Sequence, residues 1–571
     1  MALTLPRLRF GGFGGGPARP PLRRSDALLR MGRGRLGIAI VCFVAVYAVI
    51  GGRLVQYGLT DLDHARNYGV NDRILAARPD LIDRRGKLMA TDIRVPALYG
   101  EPRRVIDPDE AVEALASVLP DVDYQDWHRK LSSGAGFVWL RREITPKQQA
   151  DVMALGIPGI GFRNETRRFY PGGATASHIV GLVNVDNAGT AGIEKYVDDQ
   201  GLGTLQDLGL DQSDALEPVR LSIDTGVQHV LRDELVQAMQ RYQAIAAGGV
   251  ILNAKTGEVV AMVSLPDYDP NNPFNAHDKD RLNRMSAGTF EMGSTFKAFT
   301  TAMALDSGRV NLQSRFDARN PIRYGRFTID DFHAKRRILS VPETFIYSSN
   351  IATAKMAEVV GIEGHREFLA RLGLLDRMDT QLPEVARPTE PSEWKQLNSI
   401  TISFGHGVST TPLQTAVAAA ALVNGGKLIP PSFLPRSQAQ ANAVAAQVIK
   451  PETSAMMRYL FRLNVENGSG RRAEVDGFFV GGKTGTAEKV INGRYSSDHR
   501  FNAFLGAVPM DDPQYVVLVI IDEPKPEEGQ PSATAGLNAA PTVGRVIRRA
   551  VPLLGLTPRY EADRDALLVS Y

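Results

Sequence analysis

Ser294 and Lys297 stand three residues apart in Glu291-Met292-Gly293-Ser294-Thr295-Phe296-Lys297. If Ser294 opens a helix, this spacing puts hydroxyl and amine on one face, a turn apart. A serine hydroxyl is a poor nucleophile near neutral pH, and a neighbouring amine that has lost its proton would activate it. A helix start adds free N–H groups and partial positive charge, both of which favour an incipient alkoxide. S-x-x-K occurs by chance in many helices, so its weight depends on companions. Two follow in order: Ser348-Ser349-Asn350, where a helical pattern breaks, and Lys483-Thr484-Gly485-Thr486, inside an apolar, strand-like run. Lys255-Thr256-Gly257 repeats the last tripeptide, but it precedes the serine and lies in an expected turn, so it reads as a chance match. The ordered set of three is the informative signal.

The elements that must position these residues are legible from Ser222 onward. Asp224 can cap an amphipathic helix running to about Gln243. Two strands, Gly249–Asn253 and Glu258–Ser264, are joined by a hairpin through Lys255-Thr256-Gly257. From Ser294 to about Val423 most segments read as helices, and residues 434–446 read as a polar loop. Strands return at Phe478–Val490, Ala503–Val508 and Val516–Ile521, and a last helix spans about Thr542–Leu554. Strands at both ends with helices between them predict an α+β domain over residues 223–554. Its antiparallel sheet would be closed by both ends of the domain. Residues 56–222 assemble no reactive constellation and read as scaffold, and residues 555–571 as a tail.

The chain has 571 residues and a net charge of +3, too long for one ordinary core. Residues 1–35 hold eight arginines against one acid, Asp26, so this tail is near +7 and the rest near −4. The body is therefore not basic, which removes the electrostatic support for nucleic-acid binding. The tail is Gly/Pro/Arg-rich and reads as disordered. Leu36–Gly52 then carries no charge. As a helix that run would rise about 25 Å, and with Leu54 and Val55 it predicts a transmembrane helix over 36–55. The preceding arginines would leave the N-terminus in the cytoplasm and the catalytic domain outside. A cleaved leader ending at Val46-Tyr47-Ala48 is the competing reading, against which the apolar run continues further. A lone Cys42 excludes an intrachain disulfide, and there is no zinc-ligand pattern, so neither metal nor cofactor is expected.

Two other features compete for function. Gly477 to Thr484 matches G-x-x-x-x-G-K-[ST], a phosphate-binding loop. The β-prone Phe478-Phe479-Val480, and Asn492-Gly493 where a helix should continue, argue instead for a hairpin. His333 and His406 read as loop or packing residues.

S-x-x-K, S-x-N and K-T-G in this order resemble the active-site set of the penicillin-recognising serine enzymes. The chain is similar to the class B penicillin-binding proteins from Arg78 to about Leu554. Further carriers are Arg78-Pro79 with Asp83-Arg84-Arg85-Gly86, Arg168-Phe169-Tyr170-Pro171, Gly192-Ile193-Glu194, and Gly405-His406-Gly407 through Gln414. Lys-Thr-Gly followed by Gly493-Arg494-Tyr495 resembles the division-specific, FtsI-type branch more than the elongation branch. Met292 departs from the proline frequent at that position.

The resemblance implies a membrane anchor, a pedestal (dimerisation-type) domain and a D,D-transpeptidase domain that cross-links peptidoglycan stem peptides. It implies covalent inhibition by β-lactams, and partnership with a SEDS-family membrane glycosyltransferase and other divisome proteins in the bacterial inner membrane. Ser294 would be nucleophile, Lys297 base, Ser348 the proton donor to the leaving amine with Lys483 beside it, and Asn350 a holder of the substrate amide. Thr484 and Thr486 would bind the terminal carboxylate. Gly485 would leave room for an extended peptide, and the N–H groups of Ser294 and Thr486 would bind the oxyanion. The alternatives are an elongation-specific transpeptidase, a hydrolase, for which no water-activating base is evident, and a penicillin-sensing receptor or non-catalytic scaffold.

Overall fold

The computed structural model describes residues 43–51, 78–202 and 216–560, apart from 326, 492 and 531. The chain divides into two units, Met1–Ile74 and Leu75–Tyr571. In the first, residues 43–51 are helical and largely exposed. The remainder of the expected 36–55 span and the basic tail lie outside the described residues. Among the described residues no helix is long and apolar enough to cross a membrane.

The second unit opens with a five-stranded sheet: β1 (Leu81–Ile82), β2 (Leu88–Gly100), β3 (Val138–Arg141), β4 (Ile160–Phe169) and β5 (Val219–Arg220). β2 is its spine, antiparallel to β4 from Thr91↔Phe169 to Gly100↔Ile160. β3 pairs with the end of β2, and β1 with its start. β5 runs parallel to β1. Helices α1 (Pro108–Val118), α2 (Tyr124–Leu131) and α3 (Pro146–Leu155) close a small core around Leu98, Val112, Leu115 and Trp127.

Three motifs of this region meet in its interior. The Glu194 carboxylate receives Arg78 Nε at 2.9 Å and Arg168 Nε at 2.7 Å. Arg168 also reaches Asp92 at 3.1 Å, and Arg78 reaches Asp198 at 2.7 Å. Burial works against the Arg168 charge, but Glu194 and Asp92 outweigh it and hold the guanidinium ionised. Asp83 joins this region to the next. Its carboxylate receives Arg85 N and Lys87 N, each at 2.8 Å, and the Thr225 hydroxyl at 2.8 Å.

The larger part is built from α4 (Thr225–Tyr242), β6 (Ala246–Asn253), β7 (Val259–Leu265), α5 (Phe296–Asp306), α6 (Val341–Tyr347), α7 (Asn350–Val360), α8 (Pro412–Val423), α9 (Pro451–Asn467), β8 (Gly481–Ile491), β9 (Arg494–Val508), β10 (Tyr515–Asp522) and α10 (Ala539–Ala550), with shorter pieces between. Asp224 caps α4, accepting from Gly226 N at 3.0 Å and Val227 N at 3.1 Å. The sheet order is β8-β9-β10-β6-β7, antiparallel throughout. Strands from both ends of this part thus form one sheet.

Alternation along β10 shows how the layers stack. Val516, Leu518 and Ile520 enter a core with Phe299 of α5 and Leu460 of α9. Val517, Val519 and Ile521 enter a second core with Leu231 and Leu235 of α4 and Val543 and Ile547 of α10. Both faces are covered, so β10 is a continuous apolar run even though its neighbours are antiparallel.

Four local expectations change. Within 434–446, Gln438–Val444 is a helix, not a loop. Ser437 accepts from Gln440 N, and the Gln440 side chain accepts from Ser437 N at 2.8 Å, a capping box that outweighs the polar composition. The stretch after Ser294 is not wholly helical: Arg315–Asp317 pairs with Ile338–Ser340, and Ile322–Tyr324 with Phe327–Ile329. The strand expected from Phe478 starts at Gly481, because Phe479 takes a left-handed turn at φ +47°. The last helix starts at Ala539 and stops at Ala550, with Pro552 beginning a separate 3-10 turn. No helix follows Lys483-Thr484; β8 continues to Ile491, which pairs with Arg494 of β9, and this removes the phosphate-loop reading.

Candidate active site

Ser294 does not open the α-helix itself. It lies in a 3-10 turn, Gly293–Thr295, that leads into α5. Thr295 Oγ1 donates to Met292 O at 2.8 Å and closes the turn. Gly293 has φ +53°, and a Cβ there would stand 2.9 Å from Thr486 O. Reciprocally, a Cβ on Gly485 would stand 2.5 Å from Met292 O. The Ser294 turn and β8 therefore pack backbone against backbone, and both positions demand glycine. Residues 296–305 of α5 are all buried, so Lys297 projects from the centre of the domain.

Lys297 Nζ donates to Ser348 O at 2.5 Å and to Ser348 Oγ at 3.1 Å. From the opposite side Lys483 Nζ donates to Ser348 Oγ at 3.0 Å. One hydroxyl thus sits between two amines from distant segments. Ser348 reaches this place because it ends α6 in a left-handed conformation, φ +55°, uncommon for a residue with a Cβ. Lys297 is 2% exposed and Lys483 0%. Burial pushes Lys297 down to about 7, against the opposing pull of Asp331. Burial and then the neighbouring Lys297 charge push Lys483 well below the ordinary lysine value. Two buried amines without a hydrogen-bonded carboxylate cannot both stay charged at low cost.

Asn350 begins α7 and donates through Nδ2 to Asp330 O at 2.8 Å. Among the described residues no group donates to its side-chain oxygen. Ser349 caps α7 and donates to Asp331 Oδ2 at 2.8 Å, while Ile351 N donates to Asp331 Oδ1 at 2.9 Å. Asp331 thereby fixes the S-x-N corner. The motif pattern does not reveal this, because Asp330-Asp331-Phe332-His333 draws attention only through its histidine. His333 is exposed, edge-on to Phe332 at 4.7 Å.

Along β8, Lys483 and Gly485 face the α5 side, and Thr484 and Thr486 the other. Thr484 Oγ1 shares a 2.6 Å bond with Ser469 Oγ, and Thr486 Oγ1 accepts from Ala535 N at 3.0 Å. Ser469 is a second group absent from the motif reading; its sequence signal is only Gly468-Ser469-Gly470 after α9. The other K-T-G behaves as expected. Lys255 lies in the β6–β7 turn and pairs with Asp512 at 2.7 Å on the surface.

Set beside known proteins, residues 247–547 match the model of the penicillin binding protein transpeptidase domain, and residues 73–205 that of the penicillin-binding protein dimerisation domain. The chain therefore belongs to the class B penicillin-binding proteins, of the FtsI type. Among its relatives, a probable peptidoglycan D,D-transpeptidase FtsI of Caulobacter vibrioides is 39% identical over 86% of this chain and 84% of its own. A probable peptidoglycan D,D-transpeptidase PenA of Neisseria gonorrhoeae is 31% identical over 92% of this chain and 94% of its own. Stage V sporulation protein D of Bacillus subtilis is 30% identical over 92% and 87%.

Proposed function

We propose that the chain is a peptidoglycan D,D-transpeptidase that cross-links stem peptides during septal wall synthesis and is acylated by β-lactams. The observation that carries this reading is the Ser348 hydroxyl held by Lys297 at 3.1 Å and Lys483 at 3.0 Å, with Lys297 three residues after Ser294 in sequence. Lys297, neutral, takes the Ser294 proton as Oγ attacks the D-alanyl carbonyl carbon. The N–H groups of Ser294 and Thr486 receive the oxyanion, a pair made adjacent by the close packing of Gly293 on Thr486. As the C–N bond breaks, Lys297 passes its proton to Ser348, and Ser348 passes one to the leaving D-alanine nitrogen.

Asn350 accepts the donor peptide's amide N–H with its free oxygen. Thr486, its oxygen already occupied by Ala535 N, donates its hydroxyl to the terminal carboxylate. The Thr484–Ser469 pair spends one proton internally and offers the other to the same carboxylate. An amine of a second stem peptide then opens the ester.

The charge-free run Leu36–Gly52 behind eight arginines supports a single inner-membrane anchor, a cytoplasmic N-terminus and a periplasmic catalytic domain on a pedestal. Family membership supports partnership with a SEDS glycosyltransferase and other divisome proteins. The test is to incubate the full chain with a fluorescent penicillin and locate the adduct by mass spectrometry. A single adduct on Ser294 is expected; a folded chain that takes no label refutes the reading. Depletion in cells should give filaments; rounded cells would assign the elongation role instead.

A further inference from the structure

We infer that Glu291 and His406 form the acceptor-amine subsite. Glu291 Oε2 takes the incoming ammonium of the second stem peptide, and His406 Nδ1 receives the proton that the ammonium must lose before its nitrogen can attack. This rests on the acyl-enzyme reading above and concerns its second half, which the Lys297–Ser348–Lys483 cluster leaves incomplete.

The proton balance shows the gap. An alkyl amine arrives as an ammonium, since its ordinary value is near about 10. Once it has lost one proton, its nitrogen forms a bond to the ester carbonyl carbon, and the bond from that carbon to Ser294 Oγ breaks. Going from ammonium to amide releases two protons. One returns to Ser294 Oγ through the Lys297–Ser348 relay. The second needs another acceptor.

Two buried polar atoms beside the Ser294 turn have no hydrogen-bond partner among the described residues: Glu291 Oε2 and His406 Nδ1. Glu291 lies three residues before Ser294, and its other oxygen is fixed. Oε1 receives Gly407 N at 2.8 Å and the Tyr495 hydroxyl at 3.1 Å. Among the described residues no lysine or arginine pairs with it. A mostly enclosed carboxylate, oriented on one side and open on the other, suits a guest cation that brings both charge and N–H donors.

His406 stands between two anchors. Gly405 sits so closely on the nucleophile turn that a Cβ there would be 2.0 Å from Gly293 O, and Gly407 is bonded to Glu291. The imidazole is edge-on to Phe404 at 5.6 Å and Tyr495 at 5.3 Å, which fixes its plane. Burial, and then the Lys297 charge, push His406 down to about 4, so its lone pair is free near neutral pH. Burial pushes Glu291 up, against the bonds from Gly407 and Tyr495, and a bound ammonium would favour its ionised form. The expectation that His406 is a packing residue leaves its unpartnered nitrogen unexplained.

The test uses the full chain with an N-benzoyl-D-alanyl thiolester as donor and D-alanine as acceptor amine, reading the ratio of transfer to hydrolysis product. Fluorescent penicillin counts competent Ser294 sites in each variant. Glu291→Gln should raise the D-alanine concentration for half-maximal transfer about tenfold or more, and His406→Gln should lower maximal transfer by a similar factor. Tyr495→Phe, which removes one bond to Glu291 at the surface, should give a smaller shift in the same direction as Glu291→Gln. It decides the matter if either first variant fails to label. A ratio and half-saturation within twofold of the parent, or, in a variant that still labels, a loss of transfer no larger than its loss of labelling, overturns the subsite. Absence of label on the parent's Ser294 would instead bring down the acyl-enzyme reading beneath it.

Discussion

Two buried clusters of cations in this molecule obey opposite rules. In the first, Arg78 and Arg168 share Glu194, and Asp92 and Asp198 complete the balance. Every charge has a partner, Arg168 is held ionised, and the cluster joins the first sheet to the motifs around it. In the second, Lys297 and Lys483 share only the neutral Ser348. With no bonded acid to offset desolvation, both amines hold their protons more weakly than an ordinary lysine. The first arrangement is how burial keeps a charge for structure, and the second is how burial removes one for chemistry.

Exchanging the rules should break each cluster in its own way. Lys297→Arg installs a cation that cannot deprotonate where deprotonation is required. The second-order rate of penicillin acylation should fall by about 10²–10⁴-fold, measured by stopped reactions with a fluorescent penicillin. Glu194→Gln removes the shared anion from the paired cluster and leaves two buried guanidinium groups short of charge. Denaturant unfolding should show a loss of about 3–5 kcal/mol, while the folded fraction keeps the parental acylation rate. The smallest effect belongs to Lys255→Ala. That lysine pairs with Asp512 in the open, with side chains 40% and 65% exposed. Stability should move by less than about 1 kcal/mol and acylation not at all.

The two K-T-G tripeptides show where local sequence stops and topology begins. Lys255 and Lys483 have the same followers, yet one lies in a turn and the other in a strand packed against the Ser294 turn. Order along the chain and the flanking β-prone residues separate them without coordinates. The sheet was legible for a similar reason: Val516–Ile521 is an uninterrupted apolar run, and Asp224 is a cap at the right offset. Ser348 was legible as a motif member, but its left-handed backbone was not, because it follows from α6 ending and α7 starting within two residues. Asp331 and Ser469 escaped because their partners, Ser349 and Thr484, are brought to them by folding across 18 and 15 residues of chain. The hairpins between Arg315 and Ser340 escaped because strands of three residues carry too little alternation to register.

The most direct test of the buried-lysine account is the pH profile of penicillin acylation in the full chain. Lys297 stands at about 7 in the fold, below an ordinary lysine, so its neutral fraction grows as pH rises through that value. The acylation rate should climb about tenfold per unit well below pH 7, bend near about 7 and level off by about 8.5. A rate flat from about pH 5.5 to 9, or a limb that rises only near about 10, would mean that Lys297 keeps its proton and that another group activates Ser294.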